Sequence, residues 1–171
     1  LRGVPLYETF GGNVLWVNSA TGSNSNKGTR DRPFSTLDYA IGRCTANNGD
    51  VIMVAPNHAE TITGAGGITA DVAGITIVGL GTYNQRPRFL MDGATTVSFA
   101  VSAADVSVKN CVFASGHADV VTCFDVTAAG FTLEDCEFVD NVANENFRVD
   151  LRINNLFDET YANYLNAISL P

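Results

Sequence analysis

Three basic side chains, Arg86, Arg88 and Lys109, stand in the middle of the chain, with Asp105, Asp125, Glu134, Asp135 and Glu137 close to them in sequence. An arginine or lysine base beside carboxylates that bind Ca²⁺ is the apparatus of polysaccharide lysis. Two carboxylates facing each other across a groove are the apparatus of glycoside hydrolysis. Neither pattern is complete here. Arg86 and Arg88 flank Pro87 at an expected corner, and no aspartates recur at one repeated position beside them. The acids read equally as solvated faces of an acidic chain.

His58 in PNHAET and His117 in SGHAD follow apolar runs, each with an acid close by, Glu60 or Asp119. These are acceptable metal-ligand types, but unpaired surface histidines in loops are the simpler expectation. GAGG at Gly64 to Gly67 lacks the Lys-Ser/Thr and following helix of a phosphate loop, so it is expected to be a wide corner. Trp16, Tyr39 and Tyr83 offer rings for sugar stacking, although a tryptophan beside a strand more often packs in a core or cap. Cys44, Cys111, Cys123 and Cys136 lack CxxC or zinc-ligand spacing. They are expected as thiols, including Cys111 and Cys136, whose spacing alone would also permit a bridge. No catalytic, cofactor-binding or metal residue is assigned, and no cofactor is expected.

The elements that would position these residues form a repeat. SFAVSAADVSVKNCVF, from Ser98, returns as CFDVTAAGFTLEDCEF, from Cys123, at an offset of 25 residues. Phe99 then meets Phe124, Val101 meets Val126, Val108 meets Leu133, Cys111 meets Cys136 and Phe113 meets Phe138. A fainter copy, ITADVAGITIVGLG from Ile68, puts Ile75, Ile77 and Leu80 in the places of Val106, Val108 and Cys111 at an offset of 31. Repeats of this length signal stacked supersecondary units. Within each copy apolar residues alternate with Ser107 and Lys109, the period of a strand, and Ala-Ala-Asp or Asp/Asn/Gly groups break the runs. Each unit reads as short strands joined by tight corners. Stacked units would pair equivalent strands in parallel, with Leu80, Cys111 and Cys136 in one interior column.

Composition agrees. The chain has 171 residues, enough for one domain with a sizeable core, and a hydrophobic fraction of 46%. Its sixteen glycines suit many corners. A formal net charge of −8 with ten Lys+Arg argues against a nucleic-acid partner. No apolar stretch reaches the roughly 18–20 residues of a membrane helix, so membrane insertion is not expected. The chain opens with Leu1 and no signal-peptide pattern, and its start fixes no compartment.

Ahead of the repeats, VLWVN reads as a strand and SATGSNSNKGTRDRP as a loop. FSTLDYAIGRCTA reads as a helix near 35–46, capped by Ser35 or Thr36, with Leu37, Ala40, Ile41 and Cys44 on one face. NNGD stops the helix and VIMVAP enters a buried strand. Such a helix would cover the open end of a stack whose first unit would otherwise expose its edges.

The series WVNSATGSNSNKGTRDRPFSTLDYAI, NNGDVIMVAP and HAETIT resembles the entry segment of right-handed parallel β-helix proteins of the pectate-lyase-like fold. AGITIVGLGTYNQRPRF and VSVKNCVF resemble, more narrowly, the β-helix proteins of tailed bacteriophages, over about Asn13 to Phe147. The resemblance implies an all-β, right-handed parallel β-helix, a short solenoid with an N-terminal capping helix. It also implies a non-enzymatic virion component (fibre, spike or capsid decoration), a homotrimer in contact with other virion proteins. The alternative is a carbohydrate-binding or carbohydrate-cleaving β-helix protein, a lyase, hydrolase or adhesin, secreted or at a cell surface and contacting a surface glycan. The expected organisation is an N-terminal extension over 1–12, the β-helix over 13–147 and a tail over 148–171.

In that tail, RVDLRINNLFDETYANYL resembles the C-terminal strand motif of TonB-dependent outer-membrane receptors, through Asn155, Leu156, Phe157, Asp158 and Tyr161. LRGVP at Leu1 to Pro5 resembles the plug of the same receptors. The chain is too short for their barrel. Val149, Leu151 and Ile153 alternate as a strand, and Leu156, Phe157, Tyr161, Tyr164 and Leu165 would form an apolar face. The tail is therefore expected as a cap over the last repeat, with an oligomer contact or a fusion as the other readings.

Overall fold

The computed structural model describes residues 11–140 together with Arg152 and Ile153. The 1–12 extension, except for Gly11 and Gly12, lies outside the described residues, as do LRGVP and the NLFDETY motif. In chain order the elements are β1 (Val14–Val17), helix α1 (Leu37–Ile41), β2 (Val51–Val54), β3 (Ala59–Thr63), β4 (Ile68–Ala70) and β5 (Thr76–Gly79). There follow β6 (Arg88–Asp92), β7 (Phe99–Val101), β8 (Ser107–Lys109), β9 (Val112–Ser115), β10 (Phe124–Val126), β11 (Thr132–Glu134), β12 (Glu137–Asp140) and β13 (Arg152–Ile153).

The protein is nearly all β, and every pairing between these strands is parallel. From β2 onward the chain visits three sheets in rotation. The first has the order β1-β2-β5-β8-β11, the second β12-β9-β6-β3 and the third β13-β10-β7-β4. The registers are those of the sequence repeat. Ile77 pairs with Val108 and Ile68 with Phe99, both at the offset of 31. Val108 pairs with Leu133, Phe99 with Phe124 and Phe113 with Phe138, all at the offset of 25.

The period-2 pattern sends one set of side chains into a core shared by all three sheets. Ile52, Ile77 and Val108 come from the first sheet, Ile62, Phe89 and Phe113 from the second, and Ile68, Phe99 and Phe124 from the third. Because registers are in phase, like side chains stack. The rings of Phe89 and Phe113 are 5.5 Å apart and those of Phe113 and Phe138 are 5.8 Å apart, both stacked. Phe99 and Phe124 lie 5.0 Å apart, and Phe113 meets Phe124 edge-on at 4.7 Å. Each fully buried Phe contributes about 1.5–3 kcal/mol by area, and pairing in these geometries adds roughly 0.5–1.5 kcal/mol.

The corners repeat as strictly as the strands. Gly49, Gly74, Asp105 and Gly130, each two residues before a strand of the first sheet, all have positive φ, from 57° to 76°. Turning the chain into the first sheet uses one left-handed residue, so that place is held by glycine or by an aspartate, one of the few other types that enter this region.

One corner departs from the repeat. The offset is 31 at Ile77↔Val108, but only 24 at Phe89↔Phe113 in the next sheet. Seven more residues therefore join β5 to β6 than join β8 to β9. They form a projecting loop, Gly81 to Pro87, around a 3-10 turn at Tyr83–Gln85.

Helix α1 is shorter than the expected 35–46, because Gly42 and the turns after it end the hydrogen-bond ladder. Its buried residues Leu37, Ala40 and Ile41 join the core, and it packs against β4, β1 and β2. Asp38 accepts the Thr69 N–H of edge strand β4 at 3.0 Å, so the helix also satisfies a ladder group that would otherwise face outward. The capping expectation needs correction: neither Ser35 nor Thr36 caps α1. Both are held by Asn24, and the first helical N–H, of Leu37, goes to the Glu60 carboxylate at 2.9 Å. At the other end Asp125 pairs with Arg152, so β13 adds a further parallel strand to the third sheet.

Candidate functional site

The projecting loop overhangs an open groove of about 500 Å³, lined by Thr82, Tyr83, Arg86, Asn110, Asp135 and Cys136. Asn110 and Asp135 are equivalent corner residues of successive repeats, both left-handed, with φ of 54° and 53°. The Asn110 amide donates to the carbonyls of Gly79 at 2.8 Å and Gly81 at 3.0 Å, which fixes the root of the loop. Asn57 N–H donates to the Gln85 carbonyl at 2.7 Å from the preceding turn. Arg86 ties the far side down. It donates to the carbonyls of Tyr83 and Asp135, each at 3.3 Å, and forms an ion pair with Glu137.

The structure thus brings Arg86 together with Asp135 and Glu137, and Lys109 with Glu134 at 2.6 Å. Both cations are charge-compensated. A general base must offer a lone pair, and a guanidinium engaged by a carboxylate and two carbonyls acts here as a donor only. Arg88 points outward from β6 between Ala59 and Val112. Asp105 occupies its left-handed corner, and Asp125 projects from the outer face of β10; no hydrogen bond joins them among the described residues.

His58 is not a surface histidine. It is 1% exposed and packs against the Phe89 ring at 5.5 Å. Its Nδ1 accepts the Ser19 N–H at 3.0 Å, which leaves Nε2 to donate to Glu60 at 3.0 Å. Glu60 stands in the inward column of Phe89 and Phe113, at the end of the phenylalanine stack. One carboxylate oxygen there receives both His58 and the Leu37 N–H, while Ser19 Oγ accepts the Ala59 N–H at 3.0 Å. Both imidazole nitrogens are consumed, so the His58–Glu60 pair fastens the entry loop and α1 to β3 and leaves His58 no nitrogen for a metal. His117 Nδ1 donates to the Ala118 carbonyl at 2.6 Å. Among the described residues no group of three metal-ligating side chains converges.

GAGG is the corner between β3 and β4, with Gly64 and Gly66 at positive φ and the Gly66 N–H donated to Ser98 Oγ. The three aromatics have three different settings. The Arg30 guanidinium covers Trp16 at 5.6 Å, Tyr39 meets Phe34 edge-on at 5.1 Å, and Tyr83 stands 88% exposed over the groove. All four cysteines are free thiols. Burial raises every one of them: Cys44, with Asp50 adding to the effect, and Cys123, with Cys136 adding, are pushed up to about 12. Cys111 and Cys136 are raised in the same direction.

Sequence reading missed two sites. Asn110 was legible only as a corner breaker, although its left-handed place beside the longer loop is what makes it a groove residue. Asp50 went unmarked inside the NNGD stop. It is 0% exposed and accepts from Asn13 N at 2.6 Å, Asn13 Nδ2 at 3.2 Å, Thr45 N at 2.7 Å and Asn48 Nδ2 at 2.8 Å. Burial alone would raise its carboxyl; those hydrogen bonds outweigh burial and hold it below the ordinary carboxylate value. No protein-family model matches the chain, and no curated protein or solved structure is significantly similar to it.

Proposed function

We propose that the chain is a right-handed parallel β-helix, a short solenoid serving as a structural component of a tailed-bacteriophage virion (fibre, spike or capsid decoration) and assembling as a homotrimer. The observation that carries this reading is the rotation of the chain through three parallel sheets in the registers of the sequence repeat. Such a stack is rigid along its length, grows by added turns and needs no site chemistry to serve as a spacer. The involvement of Arg86, Lys109, His58 and Glu60 in ties between turns supports a structural role for them. Among the described residues no helix is long and apolar enough to cross a membrane.

Light scattering on the full chain tests the proposal. A particle of three 18.1 kDa chains is the expected result, and a monomer at micromolar concentration sinks it. A second reading, a carbohydrate-binding or carbohydrate-cleaving protein, draws on the exposed Tyr83 ring above its groove. It predicts retention on a glycan array that Tyr83→Ala abolishes.

A further inference from the structure

The hydrogen-bond inventory of the groove is one-sided. Both amide hydrogens of Asn110 are already given to Gly79 and Gly81, so its side chain has only Oδ1 to offer. Asp135 is bonded through its backbone carbonyl, and among the described residues no hydrogen bond or ion pair engages its carboxylate. The Arg86 guanidinium, which donates to two carbonyls, is neutralised by Glu137. Two carboxylates against one guanidinium leave the site negative. Its free groups are Asn110 Oδ1 and the Asp135 carboxylate, which only accept, and the Thr82 and Tyr83 hydroxyls, which can donate or accept.

Above these acceptors stands Tyr83, which the fold itself does not explain. Its φ is +53°, a conformation that costs a bulky residue on the order of 1–3 kcal/mol. Its ring is 88% exposed, so almost no burial offsets that cost. The surrounding bonds nevertheless hold it there: Arg86 N–H and Nε both reach the Tyr83 carbonyl, and Gln85 N–H reaches Thr82. A rigidly presented aromatic face over free acceptors matches a ligand that has donors only and is flat. A neutral sugar would find only the Thr82 and Tyr83 hydroxyls as free donors and would leave the Asp135 charge uncompensated.

We propose that this groove is a docking site for an arginine side chain of a partner protein, its guanidinium lying against the Tyr83 ring and donating to the Asp135 carboxylate and Asn110 Oδ1. The assignment is independent of the virion reading and holds for any protein partner.

The test is an ¹H–¹⁵N NMR titration of the full chain with the peptide acetyl-Gly-Arg-Gly-amide. Its lysine and citrulline counterparts and maltotriose serve as comparisons. The expected result is saturable shifts confined to Thr82–Arg86, Asn110 and Asp135, weakened several-fold between low and 0.3 M salt. Citrulline, the same shape without charge, shows at least about a tenfold loss, equivalent to about 1.4 kcal/mol. Asp135→Asn and Tyr83→Gly are chosen because Asn and Gly both accept a left-handed corner. Both are expected to keep the thermal transition, Tyr83→Gly even raising it, while abolishing the shifts. The assignment is overturned by an absence of shifts with the arginine peptide, by equal binding of the lysine or citrulline peptide, or by maltotriose shifting the same residues. A Tyr83→Gly variant that unfolds several degrees earlier also overturns it, because Tyr83 would then be a structural residue.

Discussion

Replacing Asp50 by Asn removes a single charge from the most heavily bonded carboxylate described above. One oxygen, Oδ1, receives Asn13 N, Asn13 Nδ2 and Asn48 Nδ2, and the other receives Thr45 N at 2.7 Å. An amide has one acceptor oxygen. If it takes the Oδ1 place, its NH₂ faces the Thr45 N–H, donor against donor, at a side chain that is 0% exposed. The charge-assisted bond lost there is worth about 1.5–3 kcal/mol, and the stranded donor costs about 1–3 kcal/mol more. A net loss of about 3–5 kcal/mol is expected, against a total stability of about 5–15 kcal/mol for a domain. The same carboxyl has a folded pKa depressed below its unfolded value. Its contribution is therefore fully present above the unfolded pKa, about 3.9, and disappears as pH falls through the folded one. Urea unfolding of both proteins at pH 7, 5 and 3 reads both effects. The variant should be less stable at pH 7 and should lose less stability than the parent on acidification. A difference below about 0.5 kcal/mol at pH 7, or an identical acid slope, would refute this account of the Asn13–Thr45–Asn48 node.

Three further outcomes follow from the geometry. Glu60→Ala strands His58 Nε2 and the Leu37 N–H and should cost about 2–4 kcal/mol in urea unfolding, whereas Glu60→Gln, whose oxygen can accept both, should cost under half as much. Gly79→Ala places a Cβ against the Asn110 carbonyl oxygen, with Pro87 behind it. It should lower stability by about 1–3 kcal/mol and disturb the groove resonances, while Gly49→Ala, with open space around its Cβ, should suffer only from its left-handed φ. With the thiols held protonated by burial, a disulfide reagent at pH 8 should label the native chain slowly and all four cysteines at once in denaturant. Rapid native labelling of Cys111 would contradict its burial.

The parts of the fold legible in the sequence are those in which one residue type does one job at a fixed spacing. Phe99 with Phe124 and Phe113 with Phe138 stack because the offset of 25 is preserved through every corner between them. Phe89 belongs to the same stack but stands 24 residues before Phe113, while Ile77 stands 31 before Val108. An insertion confined to one corner lengthens the offset only for the strand pairs that span it, one in each sheet, so a search at a single offset misses them. The groove was hidden for the same reason, since the insertion is its wall. The helix was overestimated because periodic Cys44 continued the apolar face beyond Gly42, where the backbone had already left the helix. The His58–Glu60 tie is hidden behind the simpler expectation of an unpaired surface histidine, because an acid beside a histidine carries no mark of direction. The inward place of Glu60 in the Ile62 alternation was the available signal, and its third partner, Leu37, lies 23 residues back.

The rotation through three sheets has a consequence for how the chain is made. From β2 onward no described strand pairs with its immediate successor, and even β1 and β2 are brought together across 37 residues, at Val14 and Val51. A segment of one turn, some 25 residues, emerging from a ribosome has no strand partner within itself and acquires one only from the turn already in place. Backbone pairing during synthesis can therefore propagate from strands already in place to the newest ones. Until further chain arrives, the outer edges of β11 and β12 present unpaired backbone groups that a strand of another nascent copy can occupy.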